Sequence, residues 1–375
     1  VRGGWVMTRR QSIYTLASVY IGTVIGAGFA SGQEIFQFFG KYGWQGILGV
    51  VIVTILFSLL GVLVLNSIYT KKIKSFRQFS TGYFGKTFFT IINIVLTFLL
   101  FTSYVVMLSG SGAVFYEHFQ IQYIYGIIIM AIITFFVFIF GVRGIANANN
   151  VIVPFLVFII LWIGLNVIYK NQMVFSNFYT APFKSNNIFS DVSSLKYILV
   201  QLIHKSNWLW SAIIYFCYNT IGSMVVMCSL YPLIYDKKAA KLGGLLGGLV
   251  LGILAMIILL SLMVLYTSVI GLEVPMVTVA STLGDLWKTL YSFVLLLAMF
   301  TTAIANGYGC ILGIANLTRA NEKFISIIVC VISVPLAMVG FKKLVTFFYP
   351  LFGYIAMLFI CAIILKRRKS HRGFL

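Results

Sequence analysis

The sequence predicts an all-α polytopic membrane protein: ten transmembrane helices in two five-helix repeats of opposite orientation, with helices 1 and 6 discontinuous. Three observations carry this expectation. Hydrophobic residues make up 61% of the 375 and charged residues 9%, against about 25% charged in a soluble domain. Ten apolar runs approach the roughly 20 residues that cross a bilayer as helix. They cover 13–39, 44–69, 87–117, 122–141, 149–169, 207–231, 240–269, 286–315, 323–340 and 344–366. The second five repeat the spacing of the first. Spans 2 and 7 start 196 residues apart, spans 3 and 8 199, spans 4 and 9 201, and spans 5 and 10 195. Five is odd, so the second half enters from the opposite face, the inverted repeat of many transporters.

The domain plan follows: a cytoplasmic segment 1–12, a first repeat 13–169, an extracellular connection 170–206, a second repeat 207–366 and a basic tail 367–375. Val1–Val6 precede Met7 and read as upstream translated sequence or an appended remnant. No signal peptide with a cleavage site is expected.

Span 1 contains Ile21-Gly22-Thr23-Val24-Ile25-Gly26-Ala27-Gly28-Phe29-Ala30-Ser31-Gly32-Gln33-Glu34. Glycine weakens a helix by about 1 kcal/mol relative to alanine, so four of them predict a break. Broken backbone at membrane depth is tolerated where it lines a cavity or is buried in protein. Glu34 closes the stretch as a proton site, a partner for a substrate amine, or an anchor solvated near the outer interface. It stands about 12 Å of helix beyond Gly26.

After span 2, Phe76, Phe79, Tyr83 and Phe84 fall at helical spacing, so 75–85 reads as a short interfacial helix. Span 3 carries Ser109-Gly110-Ser111-Gly112, which lines a cavity or permits tight packing. The 170–206 connection holds Pro182 in an Asn/Ser-rich centre and reads as a loop. Span 6 carries Tyr218-Asn219-Thr220-Ile221-Gly222-Ser223. Its polar residues predict a second break, because Gly222 matches Gly26 at an offset of 196. The alternative is an unbroken helix whose hydroxyls bond back to its own carbonyls. In span 7, Gly243, Gly244, Gly247, Gly248 and Gly252 form a face for close helix packing. The outer segment Pro275–Asp285 is the counterpart of 75–85. Span 8 carries Ala298-Met299-Phe300-Thr301-Thr302. Its hydroxyls suit either interhelical bonding or a hard cation such as Na⁺.

The formal charge of +20 is a topology signal rather than a nucleic-acid patch. With the N-terminus inside, 19 of the 27 basic residues face the cytoplasm and 8 the outside, as the positive-inside rule requires. Both termini are then cytoplasmic. The partners expected are the lipid bilayer and a small-molecule substrate, with no nucleic acid. Cys217, Cys228, Cys310, Cys330 and Cys361 lie in apolar runs without metal-ligand spacing and read as buried hydrophobes. Nothing points to an enzyme. His118, His204 and His371 fall in connections or the tail, and Gly26-Ala27-Gly28 follows no strand. No cofactor is expected beyond a possible sodium ion.

The stretch Val24–Gly32 resembles the unwound first helix of the amino acid–polyamine–organocation superfamily, whose members share the leucine-transporter (LeuT) fold. The longer string Tyr20–Glu34 is similar to the bacterial membrane proteins of the YkvI family. The resemblance implies a substrate site between spans 1, 3, 6 and 8, drawing on Gly26, Ala27, Gly28, Glu34, Ser109, Asn219, Thr220, Gly222 and Ser223. It also implies a sodium site built from the carbonyls of Gly22, Ile25 and Ala298 and the hydroxyls of Thr301 and Thr302. The arginine gate of the neurotransmitter–sodium branch is absent, because Phe29–Glu34 replaces its motif. The function implied is a cation-coupled (Na⁺ or H⁺) secondary transporter of an amino acid or related small solute, working by alternating access. The alternative is a ligand sensor on the same fold, as in germinant-receptor subunits. A channel ranks third, since the polar residues cluster at breaks.

Overall fold

The computed structural model describes residues 7–76, 78–79, 86–140, 145–171 and 194–372. Every regular element among them is helical. The first span region holds α1 (Arg9–Val24), α2 (Ala27–Ala30) and α3 (Gln33–Phe38). Then come α4 (Trp44–Lys71), α5 (Lys86–Phe119), α6 (Tyr123–Phe140), α7 (Ile145–Lys170) and α8 (Ser194–Met227). The chain continues through α9 (Lys237–Val264), α10 (Tyr266–Val269), α11 (Pro275–Ser281), α12 (Asp285–Thr318), α13 (Glu322–Ala337) and α14 (Phe341–Arg372).

Seven helical segments among the described residues are long and apolar enough to cross a membrane: Trp44–Lys71, Thr90–Phe119, Ile152–Lys170, Asn207–Leu233, Lys237–Val264, Asp285–Thr318 and Phe341–Cys361. The other three expected spans fall on shorter pieces. Span 13–39 is divided among α1, α2 and α3, 122–141 is α6, and 323–340 is α13.

Local chemistry accounts for the ends. α1 opens with a capping box, Thr8 Oγ1 accepting from the Gln11 N–H while the Gln11 side chain accepts from the Thr8 N–H. α9 opens on Asp236, whose carboxylate accepts from the Ala239 N–H at 2.7 Å. Gly32 links α2 to α3 at φ +79, and a Cβ there would meet Met276 Cγ at 2.7 Å. Both the left-handed backbone and the close approach require glycine.

Four expectations are corrected. α8 runs unbroken through Tyr218–Ser223. Thr220 Oγ1 donates to the Phe216 carbonyl at 2.7 Å and Ser223 Oγ to the Asn219 carbonyl at 2.8 Å, so the polar residues bond within the helix instead of opening it. The α-helical ladder ends later, at Met227, where a 3₁₀ stretch Cys228–Leu233 contains Pro232. The 170–206 loop is shorter than expected, since α8 starts at Ser194. The tail is helical through Arg372, and His118 and His204 lie within α5 and α8. At the connection and the tail the helices extend beyond their apolar runs. Four of the five cysteines are buried, but Cys361 is exposed. Residues 80–85 of the expected interfacial helix and 172–193 of the connection lie outside the described residues, as do 1–6. The outer segment forms α11 as a helix with Pro275 in its first turn.

The glycine face of α9 sets the closest packing. A Cβ on Gly244 would stand 2.2 Å from the Gly61 carbonyl carbon, and one on Gly248 2.3 Å from the Ser58 nitrogen, both on α4. Gly247 receives the Tyr20 ring of α1, whose hydroxyl donates to the Phe57 carbonyl at 2.9 Å. The outer surface presents Leu59, Leu63, Ile94, Phe136, Phe158 and Val331, an apolar face suited to lipid.

Candidate substrate and cation site

The ladder of α1 stops where the glycines predict. The Ile25 N–H donates to Ile21 O at 2.9 Å, but the Gly26 N–H turns to Val24 O at 2.9 Å. An uninterrupted helix would send that N–H to Gly22 O. Gly26 is extended, at φ −97 and ψ −179, and α2 starts at Ala27. The carbonyl of Gly22 is thus released from its helical donor, and the N–H groups of Ala27 and Gly28 head a new turn. The joint is held from two sides. The Met276 N–H of α11 donates to Ser31 O at 3.0 Å, and the Tyr291 hydroxyl of α12 donates to Ala30 O.

Glu34 is the buried charge of this region, 3% exposed. A carboxylate at the bilayer centre costs about 2.5–3.5 kcal/mol on insertion scales, so its neighbours matter. Asn219 Nδ2 of α8 donates to Tyr215 O at 3.1 Å and reaches Glu34 Oε1 at 3.5 Å. The Tyr215 hydroxyl lies beside the same carboxylate, its ring packed against Phe38 and Phe39 with centroids 5.1 and 5.0 Å away. The other oxygen faces back toward the break. A Cβ on Gly28 would meet Glu34 Oε2 at 2.8 Å and the Tyr349 hydroxyl of α14 at 3.0 Å. Tyr349 stacks on Tyr218, centroids 4.5 Å apart and planes 19° apart. One turn outward, a cavity of about 230 Å³ is lined by Gln37, Phe38, Lys41, Trp210, Pro350 and Tyr354.

The remaining candidates divide. Glu34, Gly28 and Asn219 come together, with Ala27 beside them. Thr220 and Ser223 are committed to their own helix, and Gly222 borders open space, as does Gly26. Ser109 belongs elsewhere, sharing a 2.7 Å hydrogen bond with the Tyr123 hydroxyl and donating to Ala337 O at 2.7 Å. It ties α5 to α6 and α13. On α12, the Thr301 hydroxyl donates to Ala298 O at 3.1 Å. Its proton is thereby directed away from its oxygen lone pairs, which suits a hydroxyl that coordinates a cation. Thr302 is half-buried. α12 packs against α2, where the Tyr291 hydroxyl meets the Ala30 carbonyl.

YkvI, a membrane protein of Bacillus subtilis (strain 168), is 31% identical over 366 residues, covering 97% of this chain and 99% of YkvI. This chain belongs to the YkvI family. A second relative in the same organism, YyaD, is 25% identical over 345 residues, 92% of this chain and 94% of YyaD. No family model matches. Among solved structures, this YkvI-family chain resembles the Eremococcus coleocola manganese transporter, with TM-score 0.60 and 14% identity over 97% of this chain and 80% of that one. It also resembles MhsT in complex with L-phenylalanine, with TM-score 0.62 and 15% identity over 98% and 93%. At such identities the likeness establishes the fold, which is LeuT-like.

In the YkvI-family chain, two aromatic neighbours of Glu34, Tyr215 and Tyr349, have no place in the sequence motifs, and Tyr218 stands there only as the first residue of the span 6 motif. Tyr215 stands four residues before Asn219, one helical turn away, which is the available signal. Tyr349 carried none, because it meets the others only through the packing of α14 on α8.

Proposed function

We propose that this chain is a secondary transporter moving an amino acid or a related small solute across the cell membrane by alternating access, coupled to Na⁺ or H⁺. The observation that carries the reading is the interrupted first span, with a buried carboxylate turned back onto the break. Such breaks release backbone groups near the bilayer midplane, where transporters bind solute and coupling ion. Gly22, Ile25 and Ala298 supply carbonyls and Thr301 and Thr302 hydroxyls to a coupling cation. Gly26, Ala27, Gly28, Glu34 and Asn219 face the solute, and the outer cavity is its route to them.

The working unit is ten spans in two inverted five-helix repeats, 13–169 and 207–366, with both termini cytoplasmic. Packing supports this plan. Four of the five spans lie on their counterparts in the other half: α1 on α8, α4 on α9, α5 on α12 and α6 on α13. Two sets of cross-pairs match as a two-fold axis requires, α1 on α9 with α4 on α8, and α7 on α12 with α14 on α5, while α14 on α8 and α9 on α7 have no comparable mate. At the cytoplasmic end, Arg9 binds Asp236 at 2.7 Å and lies 5.9 Å from the Tyr235 ring centroid. This contact joins the two halves and must open for release inward.

The test is uptake into proteoliposomes under an imposed Na⁺ or H⁺ gradient, with an amino-acid panel. Gradient-driven accumulation, abolished for Na⁺ by Thr302→Ala, is expected. Sodium-driven uptake undiminished in Thr302→Ala removes that threonine from the cation site. Solute binding without any flux identifies a ligand sensor instead.

A further inference from the structure

We infer that the outer cavity is a binding site of its own, separate from the break, and that it takes a small organic anion: a carboxylate on a single aromatic ring. This goes beyond the transporter reading, which gives the cavity only as a route, and does not depend on it. The cavity of about 230 Å³ lies between the end of α3, the 3₁₀ turn Gly40–Tyr42, the start of α8 and the middle of α14. Direct contacts fix its walls. Ser211 Oγ of α8 donates to Phe38 O at 2.7 Å, and the Trp210 indole N–H donates to the Tyr354 hydroxyl of α14 at 3.2 Å. Further in, α14 lies close against the backbone of α8, where a Cβ on Gly353 would stand 2.6 Å from Ile214 O. Phe38 and Ile214 are buried and make the floor, while Lys41, Asn207, Trp210 and Tyr354 are exposed and ring the mouth.

The charge of this lining selects the ligand. Lys41 is its charged residue, and no Asp or Glu lines the cavity. No carboxylate pairs with Lys41 among the described residues. Its ammonium lies 5.1 Å from the Tyr42 ring centroid, and burial of part of the side chain lowers its pKa from the ordinary lysine value. A ring face is a weaker partner than a carboxylate for such an ammonium. The neighbouring polar groups also donate. Gln37 and Asn207 carry amide N–H groups, and the Tyr354 hydroxyl, having accepted the indole N–H, keeps its own proton for another acceptor. A cationic amine would meet Lys41 with like charge, and the α-ammonium of an amino acid would find no acid in the lining. Trp210 and Tyr354, with centroids 6.3 Å apart, and Pro350 offer flat apolar surface to the body of the ligand. The volume falls below the roughly 300–1,000 Å³ of pockets for drug-sized ligands, which leaves room for one ring. Lys, Trp and Tyr also serve as interfacial anchors, a role that requires no cavity between them.

The test is calorimetric binding to the purified full-length protein of phenylacetate, its neutral amide, the cationic phenethylamine, and acetate, which lacks the ring. Phenylacetate should bind saturably and more tightly than the other three. Lys41→Gln should weaken it about 10- to 100-fold, as losing a hydrogen bond to a charged group does, and Lys41→Arg should restore most of it. Trp210→Leu should weaken it about 3- to 10-fold through the lost ring contact. Glu34→Gln should not weaken it, since that carboxylate belongs to the break. Lys41 lies in the turn outside the spans, so its variants should melt with the parent. The amide or the amine binding as tightly as phenylacetate overturns the inference. So does phenylacetate binding undiminished in Lys41→Gln, or no saturable binding at all. Binding lost in Glu34→Gln and kept in Lys41→Gln also overturns it and puts the anion at the break. Gradient-driven uptake bears on the transporter reading alone.

Discussion

Gly28 is where the site has least room. A methyl group there would stand 2.8 Å from Glu34 Oε2 and 3.1 Å from Tyr349 Cε2, so Gly28→Ala must displace the carboxylate, the ring or both. The expected outcome is a fall in solute affinity of at least about 10-fold, since misplacing a charge partner by a fraction of an ångström weakens a geometry-dependent contact. Titration calorimetry reads the affinity, and a melting curve shows whether the fold survives. Asp236 makes a different residue-scale prediction. The Ala239 N–H, then Arg9, hold its carboxyl below the usual carboxylate range. A depressed folded-state pKa adds stability that is present above the unfolded value and lost as pH falls through the folded one. The contact between Arg9 and Asp236 should therefore persist at neutral pH and release only at pH values below the usual carboxylate range. Asp236→Asn should release it at every pH, read as faster trypsin cleavage at Arg9 or Arg10. At this scale the sequence showed Glu34 and Asn219, because a polar side chain within an apolar run stands out. It hid Tyr215 and Tyr349 among 21 tyrosines, since an aromatic residue in a membrane helix looks the same whether it meets lipid, core or solute.

Helices meet helices through surfaces that single residues control. The α4–α9 contact is backbone on backbone: Gly61 and Gly244 approach so closely that a Cβ on either would fall about 2.2–2.4 Å from the other's peptide group. Gly244→Leu must force the helices apart and forfeit the packing around Tyr20 and Ser58 as well. Overpacking of this kind costs about 1–3 kcal/mol or more, and a lowered melting temperature in detergent should report it. α11 depends on a remote carboxylate. Glu117 of α5 accepts from the N–H groups of Glu273 at 2.6 Å and Val274 at 3.2 Å, capping the turn that leads into Pro275. Glu117→Ala leaves both donors unpaired, at a cost of about 1–3 kcal/mol. Amide exchange across 276–281 should accelerate, while α4 and α9 stay protected. Elements of this kind were legible where glycine was decisive. The stripe in α9 and the break in α1 both follow from missing side chains. The expected break at Tyr218–Ser223 did not form, because Thr220 and Ser223 had carbonyls of their own helix within reach, an outcome that composition alone does not separate from a break.

For the whole molecule, the plan of two halves rests on arithmetic that the packing repeats. The starts are offset by 195–201 residues, and four of the five spans of the proposed first repeat pack on the span that this offset makes their counterpart. Arg9–Phe38 covers 30 residues, about 45 Å as helix at 1.5 Å per residue, which exceeds the roughly 30 Å hydrocarbon core even with a break in the middle. α6 at 18 residues and α13 at 16 reach about 24–27 Å, so the proposed plan needs flanking residues at the interface to complete these two crossings. An odd number of spans in each half then has one consequence that a different count would not share. Residue 342, after span 9, must lie outside, and residue 319, after span 8, inside. Single cysteines replacing Lys342 and Arg319, in a chain freed of its five native cysteines, test it in whole cells. A membrane-impermeant maleimide should label the first directly and the second only after permeabilisation. Labelling of both without permeabilisation would mean that α13 does not cross. The first repeat would then have no inverted partner, and alternating access about a two-fold axis would lose its structural basis.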